Sequence, residues 1–181
     1  MRAFPQFIKA LPDLLNIQKD LVVEIAGVDD TFYGPKPKNK KGITTWGIWA
    51  KEFLKAKNVE SRVKWRGRLE PKKYVNWLQN SDCHVYLTHP FVVSWSYLEA
   101  LACGAPIITS DIEATKEFWR KDCEIQLVDH RCDNFLSEPV SKIFEAASSI
   151  RVDGNLFDDL GLKASLLAWS DVAGIDLHTS D

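Results

Sequence analysis

The segment HPFVVSWSYLEALACGAPIITSD, residues 89–111, places two serines, a tryptophan and a glutamate between apolar stretches. A continuous apolar run ends near Thr88, and Ser96 with Glu99 three residues later has the spacing of a capping box at a helix N-terminus. Gly104 predicts the end of that helix. We therefore expect this turn at the carboxyl end of a strand, directly before a short helix.

The turn has the residue types for binding a phosphorylated ligand. Free backbone N–H groups and the positive end of the helix dipole attract anions, so a pyrophosphate suits the amides of Ser94, Trp95 and Ser96. Glu99 repels phosphate, and its functional interpretation is as a double acceptor for a sugar diol such as ribose. The alternative is that Glu99 serves the capping box alone, which is worth ~1 kcal/mol.

The elements that must hold this turn alternate between strand and helix about five times, as in a doubly wound sheet. The strand-like runs are LVVEIAG (21–27), VKWRGRL (63–69), CHVYLTH (83–89), APIITSD (105–111) and EIQLVD (124–129). Helical patterns separate them, and Pro139 marks the expected start of the last helix. The fold class is therefore α/β, with a Rossmann-like, mostly parallel sheet that binds ligands at the carboxyl ends of its strands. We expect this domain at residues 1–149, and a tail with a possible helix at 150–181.

Composition narrows the class of protein. The 181 residues are 45% hydrophobic, which suits one substantial core. The chain has 23 basic and 25 acidic residues, so no overall field steers it to nucleic acid or to anionic lipid. The four cysteines have neither zinc-ligand nor redox-motif spacing, and no apolar run approaches ~18 residues. These observations predict a cytoplasmic protein without a transmembrane segment.

The chain resembles the glycosyltransferase group 1 family (family 4), which are retaining nucleotide-sugar enzymes with a GT-B fold, in their C-terminal donor-binding domain. The resemblance extends from FPQF at Phe4 to about Ala147. It is sharpest in RGRL with the later Tyr74, in SDCHVYLT and in residues 89–111. It implies the donor-binding half of an enzyme that transfers a hexose from a nucleoside diphosphate sugar to a hydroxyl acceptor with retention of configuration.

The resemblance also assigns site residues. In the family, a pair of glutamates separated by seven residues lines the pocket; the second contacts the nucleotide ribose and matches Glu99. The first falls at Phe91, which would pack against the sugar. The turn that meets the nucleobase carries over to Arg68 and Leu69, and the basic residue that clamps the diphosphate carries over to Arg2. Arg68 as ordinary surface and Arg2 as a disordered terminus are the alternatives.

Other polar residues nearby have simpler interpretations. Asp111 and Glu117 match acidic positions of the family, but both suit turn or helix caps. His84 and His89 are not at metal-ligand spacing, so packing or exposure is expected of them. The resemblance implies no bound metal and no cofactor, because helix dipole and basic side chains take the place of a metal in this family.

The family's domain opens with a strand and a glycine-rich turn, and this chain begins after that strand. In a sheet of order 3-2-1-4-5-6 the first strand is central, so its absence leaves two neighbours with unpaired edges. The acceptor-binding N-terminal domain, upstream or on another chain, is also needed, because transfer requires both substrates to be held together. A truncated, non-catalytic remnant that acts as an interaction partner or has no activity is therefore the alternative. A dehydrogenase is disfavoured, because no glycine-rich turn with a following acidic residue is present.

Overall fold

The structure is a computed structural model that describes residues 3–29, 36–37, 43, 45–90, 92–118 and 125–146. Arg2, Phe91 and the tail at 150–181 lie outside these residues, and so does the predicted domain boundary.

Helices and strands alternate along the described chain, as predicted. The helices are α1 (Phe4–Ile17), α2 (Trp46–Ala56), α3 (Pro71–Gln79), α4 (Trp95–Ala102), α5 (Glu113–Lys116) and α6 (Ser137–Ala146). The strands are β1 (Val23–Ala26), β2 (Val63–Gly67), β3 (His84–Tyr86), β4 (Ile107–Ser110) and β5 (Ile125–Val128). The last helix begins at Ser137, two residues before the predicted start, so that Pro139 lies in its first turn, where proline is tolerated. None of the described helices is long and apolar enough to cross a bilayer.

All described strand pairs are parallel. β1 pairs with β2, and β3, β4 and β5 pair in that order. Successive residues of a strand point to opposite faces, and the neighbours Ile107 and Ile108 accordingly belong to different apolar clusters. One cluster contains residues of α1, α2 and α6, and the other contains residues of α3 and α4. The doubly wound α/β fold predicted from the sequence is confirmed.

The contacts at the two ends of helix α1 show that the strands of both sheets run in the same direction. At its N-terminus, the N–H of Ala3 donates to the carbonyl of Leu87, directly after β3, at 3.3 Å. At its C-terminal end, the guanidinium of Arg62, directly before β2, donates to the carbonyls of Leu15, Gln18 and Leu21. The helix therefore runs from the carboxyl ends of the strands to their amino ends, and β1 to β5 all point the same way. Among the described residues no strand joins β1 to β3, so the strands form two separate sheets.

Candidate functional site

Helix α4 begins at the edge of the sheet where the strands have their carboxyl ends, called the carboxyl edge below. Ser94 is its N-cap residue in an extended conformation, and the helix starts at Trp95. The hydroxyl of Ser94 bonds the hydroxyl of Ser96 at 2.7 Å and caps no backbone amide. The predicted capping box of Ser96 and Glu99 is therefore wrong. Because the helix begins earlier than expected, Glu99 lies a turn inside it, too far along to reach back to the N-cap.

Two of the three amides predicted to bind phosphate are available. The N–H of Ser94 donates to the hydroxyl of Tyr86 at 3.0 Å, so that tyrosine already occupies it. The N–H groups of Trp95 and Ser96 have no acceptor among the described residues, as expected in the first turn of a helix. Ser94 thus shapes the turn, while Trp95 and Ser96 offer the donors.

At the N-terminus of α2, in contrast, side chains of the protein itself accept from the backbone N–H groups. There Thr45 accepts from the N–H of Ile48 at 3.3 Å, and the carboxylate of Asp29 accepts from the N–H of Gly47 at 2.9 Å. Helix α4 has neither a side-chain cap nor an acidic residue in its first turn. As far as the described residues go, its positive end is therefore available to an external anion, whereas that of α2 is occupied by the chain itself.

Glu99 lies beside this helix end as an exposed carboxylate. The hydroxyl of Tyr74, on α3, lies close enough to this carboxylate to interact with it. Burial, followed by the negative charge of Glu99, raises the pKa of Tyr74 to about 12, so the tyrosine stays a donor at neutral pH. Tyr74 therefore orients the carboxylate. In the sequence it was distinguished only as part of the family resemblance, without a role.

The other predicted residues are partly described. Arg68 and Leu69 follow β2 at the carboxyl edge, after Gly67 turns the chain with a φ of +64°. The guanidinium of Arg68 is exposed and has no ion-pair partner within the described ranges, and Leu69 is half-buried. The structure thus places Arg68 and Leu69 at the same edge as Trp95, Ser96 and Glu99.

A buried polar cluster at this edge was missed by sequence reasoning. The hydroxyl of Ser110, at the end of β4, accepts from the N–H of Thr88 at 3.0 Å and bonds Nδ1 of His130 at 2.9 Å. The ring of His89 meets that of His130 edge-on at 5.1 Å. Ser110 is buried to 1% exposure, so its bond to His130 holds the ends of β4 and β5 together. The sequence feature that could have revealed this cluster is the presence of polar residues directly after buried strands.

The acidic residues Asp111 and Glu117, which follow β4, are exposed at the surface. Asp111 pairs with Lys116 at 2.7 Å, and Glu117 is the C-terminal cap residue of α5. In the described part of the chain, no three His, Cys, Asp or Glu side chains are grouped to hold a metal ion.

The histidine His84 should make the stability of the chain depend measurably on pH. Its ring lies edge-on to Trp77 at 6.3 Å, and burial lowers its pKa to about 4. Because the unfolded histidine has a pKa near ~6.5, the unfolded chain binds more protons between these values, and stability falls as the pH decreases through this window. We expect the wild type to lose about 2 kcal/mol more than His84→Phe between pH 7 and pH 5 in urea unfolding. Equal losses in both proteins would contradict it, since the lowered pKa of His130 is common to both.

Comparisons with known proteins identify the family and the fold. The sequence model of the glycosyl transferases group 1 family matches residues 2–145. No curated protein matches the chain by sequence. Among solved structures, HepE of Anabaena in complex with UDP is similar with a TM-score of 0.73 and 13% identity, over 96% of this chain and 45% of that one. Sucrose-phosphate synthase of Thermosynechococcus elongatus is similar with a TM-score of 0.68 and 15% identity, over 96% and 43%.

The chain therefore spans less than half the length of these structures. At such low identity the likeness establishes the fold alone, a Rossmann-like half of the GT-B architecture. The family match covers most of the chain and includes α4. The chain belongs to the group 1 glycosyltransferase family.

Proposed function

We propose that the chain is the donor-binding half of a retaining glycosyltransferase that moves a hexose from a nucleoside diphosphate sugar to a hydroxyl acceptor. The observation that carries this proposal is the pair of free amides of Trp95 and Ser96 beside the exposed carboxylate of Glu99, at the carboxyl edge of a parallel sheet. The complexes of HepE with UDP and with UDP-glucose support a nucleotide sugar as the ligand.

The diphosphate binds at the N-terminus of α4. The amides of Trp95 and Ser96 donate to its oxygens, and the helix dipole adds to the attraction. Ser94 holds the turn in place through its bond to Tyr86. Arg2 supplies a positive charge from the other side. These groups do the work that a metal does in other nucleotide sites, so the proposal includes neither a metal nor a cofactor.

The rest of the donor is distributed along the same edge. Glu99 accepts from the two ribose hydroxyls, and its orientation is set by Tyr74. Arg68 and Leu69 contact the nucleobase, and Phe91 packs against the transferred sugar.

Transfer itself requires a second domain. The acceptor must be held against the anomeric carbon, and positioning of this kind accounts for a large part of catalysis. We place the acceptor-binding domain upstream or on another chain, in the cytoplasm, and expect the present chain alone to bind the donor without transferring the sugar.

Calorimetric titration with UDP-, GDP- and ADP-sugars tests the proposal. We expect one of the three nucleotide classes to bind with a dissociation constant of about 1 μM to 1 mM, the usual range for enzyme substrates, and to raise the melting temperature. The unphosphorylated nucleoside is the control and should not bind, because it lacks the diphosphate that the helix end attracts. Absence of heat and of a thermal shift with all three classes would contradict donor binding.

A non-catalytic donor-domain remnant that acts as an interaction partner is the second candidate. The separation of the described strands into two sheets supports it, because an open strand edge is a surface for another strand. Reading the genomic DNA upstream of Met1 separates the two candidates. An in-frame acceptor domain there supports the enzyme, and a stop codon without a neighbouring acceptor gene supports the remnant.

A further inference from the structure

Trp95 is the most exposed of the large apolar side chains in the described part of the chain, with 80% of its surface accessible to solvent. Val92, three residues earlier, is 68% exposed. Both lie at the start of α4, where the amides of the first turn are free. An indole in this position contributes nothing to the core, and tryptophan is enriched at interfaces, so its exposure beside the candidate site points to a bound group.

Trp95 also differs from the other tryptophans in its contacts. Each of the others that the structure describes has a ring contact, a cation above its ring or a hydrogen bond; these are Trp46, Trp49, Trp65 and Trp77. The indole of Trp95 has none of these within the described ranges. The four others are therefore held by the fold, whereas the ring of Trp95 is available to a ligand.

The position of Trp95 on α4 indicates which part of a ligand it meets. Trp95 and Glu99 are four residues apart, so their side chains lie on one face of the helix, separated by about 6 Å along its axis. Because the Cα–Cβ bond of a helical residue tilts towards the helix N-terminus, the indole lies over the end with the free amides. From Glu99 towards the N-terminus, this face therefore presents a carboxylate, then amide donors, then an aromatic ring.

A nucleoside diphosphate sugar has its parts in a matching order, namely ribose, diphosphate and hexose. The inference rests on the proposed function, in which Glu99 accepts from the ribose and the amides of Trp95 and Ser96 donate to the diphosphate. The group beyond the diphosphate is then the hexose, at the end of the face where the indole lies. The nucleobase is attached on the other side of the ribose, so it lies away from Trp95.

The chemistry of an indole suits a hexose ring. The hydroxyls of a pyranose point mainly outwards, so that the faces of the ring carry C–H groups and are partly apolar. A flat aromatic ring covers such a face and removes it from water, while the hydroxyls at the rim stay free to form hydrogen bonds. We propose that the indole of Trp95 stacks on the C–H face of the transferred hexose, which makes Trp95 a specificity residue for hexosyl donors.

The side chain and the amide of Trp95 can be separated by mutation. Every residue except proline has a backbone N–H, so Trp95→Ala keeps the donor for the diphosphate and removes only the aromatic face. Trp95→Phe keeps both. Because the indole is 80% exposed, we expect neither substitution to change the melting temperature by more than about 2 °C.

Calorimetric titration of the full chain with UDP, GDP and ADP, and with the glucose derivative of each, tests the proposal. For the nucleotide that binds, Trp95→Ala should weaken the glucose derivative at least about fivefold and the nucleoside diphosphate itself less than about twofold. Trp95→Phe should keep both affinities within about twofold of the wild type, because it retains a ring face. In NMR spectra, the C–H protons of the glucose should shift upfield on binding to the wild type but not to Trp95→Ala.

Phe144→Leu is the matched control. Phe144 is an exposed aromatic residue in the last turn of α6, outside the proposed donor site, and its substitution also removes one ring. Both affinities should be the same as in the wild type.

Three results would overturn the inference. Equal losses for the nucleoside diphosphate and its glucose derivative in Trp95→Ala would place the indole on the nucleotide. Unchanged affinity for both would leave the indole to another partner, such as the acceptor-binding domain, and would refute this inference while donor binding stands. If neither ligand binds the wild type, the proposed function fails and the inference fails with it. Should Trp95→Ala not fold, the upfield shift in the wild type decides, and its absence contradicts stacking.

Discussion

Glu99→Gln is expected to weaken donor binding at least tenfold and to leave the stability of the chain unchanged. Hydrogen bonds to a charged acceptor are worth about 1.5 to 3 kcal/mol, and a tenfold change in dissociation constant corresponds to ~1.4 kcal/mol. Glutamine keeps the size of the side chain and can still accept from Tyr74, but it lacks the negative charge that, in our proposal, holds the two ribose hydroxyls. Calorimetry with the best-binding nucleotide sugar measures the effect.

The stability expectation follows from the structure of α4. Because Ser94 and not Glu99 is placed at the N-cap, and Glu99 is exposed, the substitution should change the free energy of unfolding by no more than about 0.5 kcal/mol. Glu117→Gln is the matched control, since Glu117 is an exposed glutamate at the end of α5 and loses the same charge. Equal donor affinity in Glu99→Gln and Glu117→Gln would exclude the ribose contact.

The sequence predicts the elements better than it predicts the helix end that matters most. The spacing of apolar residues reflects which side chains are buried. This spacing can be seen in neighbouring positions, such as Ile107 and Ile108, without knowledge of the rest of the fold. The start of α4 was misplaced because Ser94 and Ser96 are both good N-cap residues. The choice between them depends on Tyr86, which lies in β3. Its hydroxyl accepts a hydrogen bond from the N–H of Ser94. A contact between residues eight positions apart has no signature in local spacing.

In the site, too, local patterns could be predicted from the sequence, and contacts between separate elements could not. The types of Glu99 and of the two serines lead to the hypothesis of an anion and a diol at a helix N-terminus, and this hypothesis stays a prediction. The orienting contact from Tyr74 and the Ser110–His130 bond were not predictable, because they join separate helices and strands. Such contacts exist only after the sheet has formed, so a single sequence read by local pattern does not reveal them. All the predicted donor-binding roles stay predictions, those of Glu99, Ser94, Trp95, Ser96, Arg68, Leu69, Phe91 and Arg2.

Arg62→Ala is expected to destabilise the chain by about 3 kcal/mol, the upper range for a lost set of hydrogen bonds from a charged donor. The guanidinium ties the end of α1 to β2 by donating to the carbonyls of Leu15, Gln18 and Leu21, with the Nη2 contact to Leu21 at 2.7 Å. No other side chain in the described part donates to these three carbonyls. Urea unfolding measures the loss, which corresponds to roughly 6 to 12 °C in melting temperature for a chain of this size.

Arg66→Ala provides the matched control for this prediction. Arg66 lies four residues further along, is largely exposed and forms an ion pair with Glu24, and exposed pairs contribute at most about 1 kcal/mol. Arg62→Lys keeps the charge but has a single ammonium instead of a planar fork, so it should recover only a small part of the loss. If Arg62→Ala costs no more than Arg66→Ala, then the end of α1 is held by apolar packing of Leu14 and Leu15. Because Arg62 lies at the amino ends of the strands, donor affinity measured well below the melting temperature should stay unchanged in all three variants.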